Sequence, residues 1–328
     1  MKKAMFYEKR EDGKVQCLLC PHTCLIKSGG IGFCRERKNI DGELYSLNYG
    51  RISSYGFEPI EKKPLYHFYP GRNIFSIGTV GCNFKCQFCQ NWQIAQSSDA
   101  PTIEMPPEKV VELAASKPDN IGIAYTYSEP VIWFEYVYET ARLARDKGLK
   151  NVLVTNGFIQ EEPLKTLLPY IDAMNIDVKG FTEKFYKKIT KGELAPVIKT
   201  VERALKHCHV EITTLVIPGF NDSDDDLSAL SEWLGGLSRD IPLHFTRYFP
   251  NYKMDVIPTP IETLERAREI AEKQLDYVYI GNVWGNEGSN TRCPNCKETV
   301  VKREGFTVQI KAENGKCIHC GQDLNIIM

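Results

Sequence analysis

Hydrophobic and polar positions between residues 72 and 288 follow two periods in turn. Short apolar runs such as 74–79 (IFSIGT) predict buried strands, whereas the longer segments between them repeat apolar residues at helical spacing. The predicted strands cover 74–79, 121–125, 151–155, 173–178, 209–217, 243–246 and 277–280. The predicted helices cover 107–117, 131–147, 161–168, 197–206 and 223–234. A further helix is predicted from the capping box Thr259-Pro260-Ile261-Glu262, with Pro260 at the first helical position.

This alternation predicts an α/β fold in which helices cover a parallel sheet. Six or seven strand–helix units should curl into a full or partial (βα)6-type barrel, and an open doubly wound sheet is the alternative. In both architectures, the side chains that carry out chemistry lie at the carboxyl ends of the strands. The segments that follow the predicted strands are therefore where a functional site is expected.

Cysteine is the residue type that departs from ordinary globular composition, with twelve in 328 residues. Eleven of the twelve fall in three sets, and Cys208 stands apart as an expected core residue. The sets divide the chain into an N-terminal Cys-rich metal module (1–71), a barrel core (72–288) and a C-terminal zinc ribbon (289–328).

The N-terminus is charged throughout and has no apolar segment, so no signal peptide is expected. No stretch reaches the roughly 20 apolar residues of a membrane span. A cytoplasmic location is therefore expected, and clustered cysteines in a reducing compartment serve metal or redox chemistry more often than disulfides. The net charge of −1 argues against a protein that binds polyanions by its overall charge.

The second cysteine set directly follows the first predicted strand of the barrel core. Cys82, Cys86 and Cys89 have the spacing C-x3-C-x2-C, and three thiolates on so short a loop can bind three irons of a [4Fe–4S] cluster. The missing fourth thiolate leaves one iron open to another ligand. Two alternatives are a zinc site that lacks one ligand and a cluster closed by Cys208, which would act only in electron transfer.

The same loop, with Phe88 directly before the last cysteine, resembles the signature of radical S-adenosylmethionine (SAM) enzymes. The resemblance covers nearly the whole chain and is closest to the branch that is similar to pyruvate-formate-lyase-activating enzymes. Within that branch, the chain most resembles the radical SAM enzymes of the AmmeMemoRadiSam system. Residues 59–71 (PIEKKPLYHFYPG), the N-terminal Cys-Leu-Leu-Cys-Pro-His and the C-terminal Cys-x2-Cys pairs carry that closer likeness.

The resemblance implies an enzyme, a radical SAM oxidoreductase of the activating-enzyme type. In this family, SAM binds the open iron of the cluster and is cleaved by one electron to methionine and a 5′-deoxyadenosyl radical. The radical abstracts hydrogen from a substrate, which the sequence does not identify and for which a protein is one candidate. The resemblance implies a low-potential electron donor of the ferredoxin or flavodoxin type, and Memo-type or AMMECR-type proteins as candidate substrates or partners.

The resemblance also assigns SAM contacts to Phe88 and to the end of the second predicted strand. The motif Tyr-Ser-Glu-Pro at 127–130 stands where the family has Gly-Gly-Glu-Pro. Glu129 keeps the acceptor that holds the SAM ammonium in the family. Ser128 and the tyrosine before it depart from the double glycine, so the close approach of the backbone is not guaranteed here.

Three further SAM contacts follow the third and fourth predicted strands. By the resemblance, Asn156 and Asp177 would meet the carboxylate or ribose region of SAM, and Lys179 would face the carboxylate. Taken singly, an Asn-Gly is usually a turn and an Asp-x-Lys is usually a solvated strand end. Their shared position at the carboxyl ends of strands favours binding.

The third cysteine set has the spacing of a zinc ribbon, because two Cys-x2-Cys pairs supply the four ligands of a closed site. Its members are Cys293, Cys296, Cys317 and Cys320. Residues 299–311 between the pairs predict a β-ribbon. Structural zinc is expected, and a rubredoxin-like iron is the alternative.

The first cysteine set could bind zinc or a second iron–sulfur cluster, with zinc slightly favoured. It consists of Cys17, Cys20, Cys24 and Cys34. His22 is expected to lie outside the ligand set. Residues 1–40 carry nine Lys and Arg against four Asp and Glu, which indicates a solvated face before it indicates a docking surface.

Two other classes of function compete with a radical SAM enzyme. Zinc ribbons often contact nucleic acid, which favours a nucleic-acid-modifying enzyme or a binding module. Residues 291–328, however, carry six Lys and Arg against four Asp and Glu, which is a weakly basic surface. The other class is a non-catalytic iron–sulfur electron carrier, which would need a fourth cluster ligand and no SAM site.

Overall fold

In a computed structural model, which describes residues 1–97, 99–285, 287–305 and 307–328, the chain folds around a sheet of eight strands. The last seven strands are parallel and pair in chain order, whereas the first is antiparallel to the second. The strands are β1 (Ser54–Pro59), β2 (Asn73–Gly78), β3 (Asn120–Tyr125), β4 (Lys150–Thr155), β5 (Ala173–Asp177), β6 (His209–Val216), β7 (Leu243–Arg247) and β8 (Val278–Gly281).

One helix connects each parallel strand to the next, and most of these helices bury an apolar face against the sheet. They are α1 (Pro107–Ala115), α2 (Phe134–Asp146), α3 (Glu161–Leu167), α4 (Leu194–Ala204), α5 (Asp224–Leu237) and α6 (Ile261–Ala271). Shorter helical segments are Glu11–Gly13, Ile60–Lys62, Trp92–Ala95, Pro130–Trp133, Leu168–Tyr170, Glu183–Phe185, Tyr186–Thr190 and Glu287–Ser289.

The strand order decides between the two predicted architectures. Each parallel strand lies beside the strand that precedes it in the chain, so the order does not reverse as it does in a doubly wound sheet. Within the described residues, β1 and β8 form the two edges and do not pair with each other. The fold is therefore a partial barrel, and the alternatives of a full barrel and a doubly wound sheet are wrong.

The predicted strands and helices of the barrel core are found, with ends that differ by a few residues. Helix α4 begins at Leu194 rather than at 197, and α2 is preceded by the 3₁₀ turn Pro130–Trp133. Ser223 caps α5, because its hydroxyl accepts a hydrogen bond from the Asp226 N–H at 3.2 Å.

The predicted capping box at the start of α6 is wrong. Pro260 is the N-cap residue of α6, and Thr259 makes no side-chain cap. The Thr259 hydroxyl instead donates to the Val216 carbonyl oxygen at 2.7 Å and accepts from the Tyr248 N–H at 2.9 Å. The Thr259 hydroxyl thus links the ends of β6 and β7. These tertiary hydrogen bonds replace the helix cap that the local sequence pattern predicts.

Residues 60–70, called here the plug segment, pack into part of the interior of the partial barrel. Ile60, Leu65 and Phe68 of this segment are fully or almost fully buried. They form one apolar cluster with residues on β2 to β5, namely Ile74, Ala124, Val152 and Ala173. The two alanines leave room in the barrel for the larger side chains of the plug segment.

Glu211 on β6 anchors the plug segment. Its fully buried carboxylate accepts hydrogen bonds from the backbone N–H groups of Tyr66 (3.0 Å) and His67 (2.7 Å). The Nε2 atoms of His209 and His244 lie 3.0 and 2.6 Å from the same carboxylate. Burial alone would raise the pKa of Glu211, but the histidine bonds hold it well below its ordinary value. The carboxylate therefore stays ionised with all of these donors around it.

The N-terminal residues form short antiparallel strands that rest on α2. Arg37 and Glu135 form an ion pair at 2.8 Å, and both side chains are almost fully buried. The Met5 N–H donates to the same carboxylate oxygen at 2.9 Å. The strands are Lys2–Lys3, Tyr7–Lys9, Val15–Cys17, Leu25–Ile26, Arg37–Ile40, Glu43–Ser46 and Arg51–Ile52, the last of which pairs with Ile103–Glu104.

The C-terminal residues form a small β-module that packs against the plug segment. Arg303 Nη2 donates to the Tyr66 carbonyl oxygen at 2.7 Å, and the Ile327 N–H donates to the His67 carbonyl oxygen at 2.8 Å. Residue 306, in the predicted ribbon 299–311, lies outside the described residues. The strands are Thr291–Arg292, Thr299–Glu304, Thr307–Ile310, Ala312–Glu313 and Lys316–Cys317.

The domain boundaries stay a prediction, although β1 from the predicted N-terminal module pairs with β2. Across the described part of the chain, no helix combines the length and the apolar character that crossing a membrane requires.

We expect Glu211→Gln to lower the free energy of unfolding by about 3–5 kcal/mol, the usual cost of breaking a buried, paired charge. The NH2 group of the glutamine amide would also face N–H donors that the Glu211 carboxylate now accepts from, so those hydrogen bonds would be lost. Urea denaturation followed by circular dichroism measures the change. The matched variant is Glu265→Gln on the exposed face of α6, which should stay within about 0.5 kcal/mol of the parent. Equal effects of the two substitutions would contradict the anchoring role.

Candidate active site

A cavity of about 410 Å³ lies at the carboxyl ends of the parallel strands. It is lined by the cysteine loop that follows β2 and by residues that follow β3, β4 and β5. The residues that the sequence predicted for the cluster and for SAM all line this one cavity: Cys82, Cys86, Phe88, Cys89, Ser128, Glu129, Asn156, Asp177 and Lys179. The structure therefore brings together groups that lie up to 97 residues apart in the chain.

Backbone hydrogen bonds fix the shape of the cysteine loop. The N–H groups of Lys85 and Gln87 donate to the carbonyl oxygens of Thr190 (2.7 Å) and Ile189 (3.2 Å). The buried Asn83 side chain donates to the Phe158 carbonyl oxygen at 2.8 Å. These bonds hold the loop from two sides and position its cysteines.

The three thiols of the loop lie in surroundings that disfavour a free thiolate. Burial raises the pKa of Cys86 to about 12 and raises that of Cys82 well above its ordinary value. The Lys179 ammonium acts in the opposite direction on Cys86 and Cys89. A metal centre must therefore displace protons from these thiols, and the nearby cation helps to offset the charge that results.

Glu129 connects two neighbouring segments at the cavity wall, its own and the one that ends β4. Its Oε1 accepts hydrogen bonds from the Val131 N–H (2.9 Å) and the Thr155 hydroxyl (2.7 Å), and its Oε2 accepts from the Asn156 N–H (2.8 Å). A carboxylate can accept about four hydrogen bonds, so one position on Oε2 is left for a ligand. Burial raises the pKa of Glu129 to about 7 despite these bonds, and a bound cation would favour the ionised form.

Lys179 and Asp177 form an ion pair at the end of β5, with 2.7 Å between Nζ and Oδ2. Burial acts to lower the pKa of Lys179, but the Asp177 carboxylate raises it above its ordinary value. The backbone at Lys179 is fixed, because its N–H donates to the Tyr186 hydroxyl oxygen at 3.1 Å. A permanently charged ammonium is thus held at the cavity wall.

Tyr127 takes the position where the family motif has a glycine, and it keeps a glycine-like backbone with φ of 67°. Contacts around its ring hold that conformation in place. The Tyr127 hydroxyl donates to Glu58 Oε2 at 2.7 Å, and Lys63 Nζ lies 4.8 Å from the ring centre. A Cβ atom on Gly78 would lie 2.8 Å from the ring, so glycine is needed there.

Sequence reasoning missed several residues that line the cavity. Glu58 and Lys63 flank the start of the plug segment, where no period marks them as functional. Thr213 lies two residues after Glu211 on β6, so alternation along the strand could have placed it on the barrel interior. The hydroxyl oxygens of Thr213 and Ser128 are buried, and neither has a hydrogen-bond partner within the described residues. A polar ligand would satisfy both groups.

The residues present fit the groups that the loop predicts. The cavity holds three cysteines in its described lining, a cation, a carboxylate with an acceptor position left, and two unpaired hydroxyl groups. SAM offers an ammonium, a carboxylate and ribose hydroxyls, which such groups can bind. Cys208 lies at the other end of the sheet, directly before β6, and is not part of the cavity lining. Its position disfavours it as a fourth ligand of a cluster on the loop.

Comparison with known proteins agrees with this site. Residues 76–230, from within β2 to within α5, match the radical SAM superfamily. This chain belongs to the radical SAM superfamily. Membership implies a [4Fe–4S] cluster and SAM as cofactors and supports an enzyme. The matched region includes the cysteine loop and the predicted SAM contacts Glu129, Asn156, Asp177 and Lys179.

Two relatives of this radical SAM chain differ in identity, in coverage and in whether their function is named. An uncharacterized protein of Methanocaldococcus jannaschii is 48% identical across the full length of both chains. The pyruvate formate-lyase 1-activating enzyme of Escherichia coli is 24% identical over 59% of this chain and 86% of its own length. Homologues of the activating-enzyme type are therefore established, whereas the narrower branch suggested by the sequence is not.

A solved structure shares the fold of this radical SAM chain. The radical SAM methyltransferase from Sphaerobacter thermophilus gives a TM-score of 0.52 at 15% identity, over 65% of this chain and 67% of its own. At that identity, the likeness extends to the fold alone.

The C-terminal cysteines come together as closely as the ligands of a single ion. The Sγ atoms of Cys293 and Cys320 are 3.6 Å apart, and those of Cys296 and Cys317 are 3.7 Å apart. A tetrahedron with Zn–S distances of 2.3 Å has edges of about 3.8 Å. These four residues could therefore hold a metal ion, and the spacing suits zinc.

Lys179→Met and Glu129→Gln should each weaken SAM binding by roughly tenfold to a hundredfold. The first removes the cation for the SAM carboxylate, and the second replaces the acceptor for its ammonium. The iron content should not change, because neither residue offers a sulfur ligand. Equilibrium dialysis of labelled SAM against anaerobically reconstituted protein measures the affinity, and iron analysis checks the cluster.

The matched controls are Lys273→Met and Glu265→Gln, which remove exposed charges at and after α6. Glu129→Gln should also unfold more readily, since the Glu129 carboxylate joins two segments, so Lys179→Met is the cleaner test. If both site variants bind SAM as tightly as the controls, the two residues are not SAM contacts.

We expect the purified protein to contain zinc at the C-terminal cysteines and Cys317→Ser to lose it. The variant should also unfold at lower denaturant concentration, because metal binding at such a site is coupled to folding. Elemental analysis of protein stripped of iron measures the zinc, with Cys208→Ser as the matched control. Zinc that stays unchanged in Cys317→Ser would refute the assignment.

Proposed function

We propose that this protein cleaves SAM reductively and uses the resulting 5′-deoxyadenosyl radical to abstract hydrogen from a substrate. One observation carries the proposal. Among the described residues, three cysteines without a fourth share a single cavity with the groups that can bind the amino and carboxylate ends of SAM. A cluster that kept one iron open at this place would have SAM as its natural fourth ligand.

When bound, the cluster supplies the electron that SAM cleavage needs. The chain's own residues would hold and orient the reactants. Cys82, Cys86 and Cys89 would bind the cluster, Lys179 would pair with the SAM carboxylate, and Glu129 Oε2 would accept from the ammonium. The unpaired hydroxyl groups of the cavity would complete the polar contacts.

Apolar residues in the cavity wall would protect a radical from water. Phe84, Phe88, Val154 and Leu215 line the cavity between its polar groups. Phe88 is buried and packs against Phe185, with 6.2 Å between ring centroids. Such a wall limits hydrogen abstraction from side reactants, as enclosed active sites do.

A second cavity gives room for a substrate beside SAM. It has a volume of about 940 Å³ and shares Lys62, Pro64, Gln90, Thr246 and Asn282 with the first cavity. It continues along β8 towards the C-terminal module. We infer that the substrate approaches the radical from this open side of the partial barrel.

The substrate class is the finer part of the proposal. The Escherichia coli relative is named for the activation of pyruvate formate-lyase, which is a protein. We propose that this chain also acts on a protein, in the cytoplasm, with a ferredoxin or flavodoxin as electron donor. Its sequence likeness to the AmmeMemoRadiSam branch makes Memo-type and AMMECR-type proteins the first candidates to test.

Anaerobic protein with a reconstituted cluster should release 5′-deoxyadenosine and methionine when given SAM and dithionite. Cys82→Ala/Cys86→Ala/Cys89→Ala should release neither, because it lacks the ligands of the cluster. Mass spectrometry of the products measures the reaction, and Cys208→Ser, which alters a cysteine outside the cavity, should behave as the parent does. A reducible protein that forms neither product would contradict the proposal, and failure to bind SAM as well would favour an electron carrier.

A further inference from the structure

A short helical region, residues 183–190, lies directly against the cysteine loop of the candidate active site. The Phe185 ring centroid lies 6.2 Å from that of Phe88 on the loop. The Tyr186 ring centroid lies 5.9 Å from that of Phe84, also on the loop. One side of this helical region is therefore fixed by its contact with the residues that hold the three cysteines.

Two exposed lysines are joined to the middle of the loop through their backbones. The Gln87 side chain donates from Nε2 to the Lys188 carbonyl oxygen at 3.3 Å. The Gln87 carbonyl oxygen accepts from the Lys253 N–H at 2.9 Å. The side chains of both lysines are exposed. The surface of the protein above the loop is thus cationic on both sides of Gln87.

The outer side of the helical region carries a row of exposed lysines, called here the lysine face. Its members alternate with buried residues and are Lys184, Lys187, Lys188 and Lys191. Within the described chain, none of the four forms an ion pair with a carboxylate. The neighbouring Glu183 instead accepts hydrogen bonds from two backbone N–H groups at the start of α4, both at 3.2 Å.

Four unpaired cations in one row are unfavourable for the isolated protein. Like charges three or four positions apart on a helix repel one another and reduce its stability. A surface that only keeps a protein in solution mixes both signs of charge, whereas residues 181–193 hold four lysines against two glutamates. A cationic surface of this kind attracts and orients a partner that carries negative charge.

The lysine face is separate from the places assigned to SAM and to the substrate. None of its four lysines is among the described residues that line the cavity of the cysteine loop or the larger cavity along β8. A partner on this face would therefore reach the loop from outside and leave both cavities open. Such a partner can exchange an electron with the loop without contact with SAM.

We propose that the lysine face is the docking surface for an acidic redox protein that reduces the cluster on the loop. This inference rests on the function proposed above, which requires an electron at that cluster. The redox centre of the partner loses one electron and the cluster gains it, and no bond forms or breaks. Charge complementarity and the contact of the helical region with the loop together select this partner.

Stopped-flow absorbance of the anaerobically reconstituted full chain tests the proposal without SAM. The reductants are a reduced flavodoxin of net negative charge and the methyl viologen radical cation. At an ionic strength of about 0.1 M, flavodoxin should reduce Lys184→Gln/Lys187→Gln/Lys188→Gln roughly tenfold more slowly than the parent. The difference should vanish at about 1 M salt, where the Debye length is only about 3 Å. Methyl viologen should reduce the variant no more slowly than the parent, because it carries no negative charge.

The matched control is Lys147→Gln/Lys206→Gln/Lys273→Gln. It removes the same charge from exposed positions after α2, α4 and α6, at the other end of the sheet. Flavodoxin should reduce this control as fast as the parent, since charges further away than the Debye length are screened. Iron content and circular dichroism should agree among all three proteins.

Four outcomes would overturn the proposal. Equal rates with flavodoxin for the parent and the lysine-face variant would place the donor elsewhere, and an equal loss in the control would assign the effect to overall charge. Slower reduction by methyl viologen would mean that the lysines act on the cluster itself. Loss of salt-dependent RNA or DNA binding with unchanged reduction would assign the face to nucleic acid.

The experiment also separates this proposal from the proposed function. Reduction of the cluster is measured in the absence of SAM. A parent that flavodoxin reduces through the lysine face but that does not cleave SAM would contradict the function alone.

Discussion

The buried carboxylate of Glu211 is the constraint on which the arrangement of this protein depends. A partial barrel has an interior that its own strands do not fill, and here the plug segment occupies part of it. Glu211 holds that segment through two backbone N–H groups, while two histidines of the barrel strands contact the same carboxylate. The same segment carries Lys63 to the wall of the active-site cavity and provides the surface against which the C-terminal module packs. One ionised side chain thus links the barrel, the site and the C-terminal module.

The alternation of strands and helices could be predicted because it is local. The spacing of apolar residues predicts the strands, and the ends of those strands predict that Glu129, Asn156 and Lys179 lie together at one end of the sheet. The plug segment could not be predicted in the same way, since its sequence has no period and its partner Glu211 lies about 145 residues away in the chain. At Thr259, the local sequence pattern predicts a helix cap, but the hydroxyl makes a tertiary hydrogen bond to Val216 instead.

The two terminal cysteine sets show what spacing in the sequence leaves undecided. Both have four cysteines, and either could bind zinc by count alone. The distances between sulfurs depend on how the strands around them pack. In the C-terminal module, the sulfurs are brought to 3.6–3.7 Å. Around the N-terminal set, the contact of Arg37 with α2 helps to determine which side chains line the small cavity beside its four cysteines. The metal that each set binds therefore depends on how the surrounding residues pack, and the spacing of cysteines in the sequence does not determine that packing.

The open edge of the barrel has a consequence for how the chain can be divided. Strand β8 ends the sheet in the described part of the chain, and an unpaired edge can add a strand from another molecule. The segment Glu287–Ser289 and the module that follows pack beside β8. A shortened chain that ended after β8 would lose that neighbour and the contacts that hold the plug segment. We expect such a shortened chain to self-associate through the uncovered edge of β8.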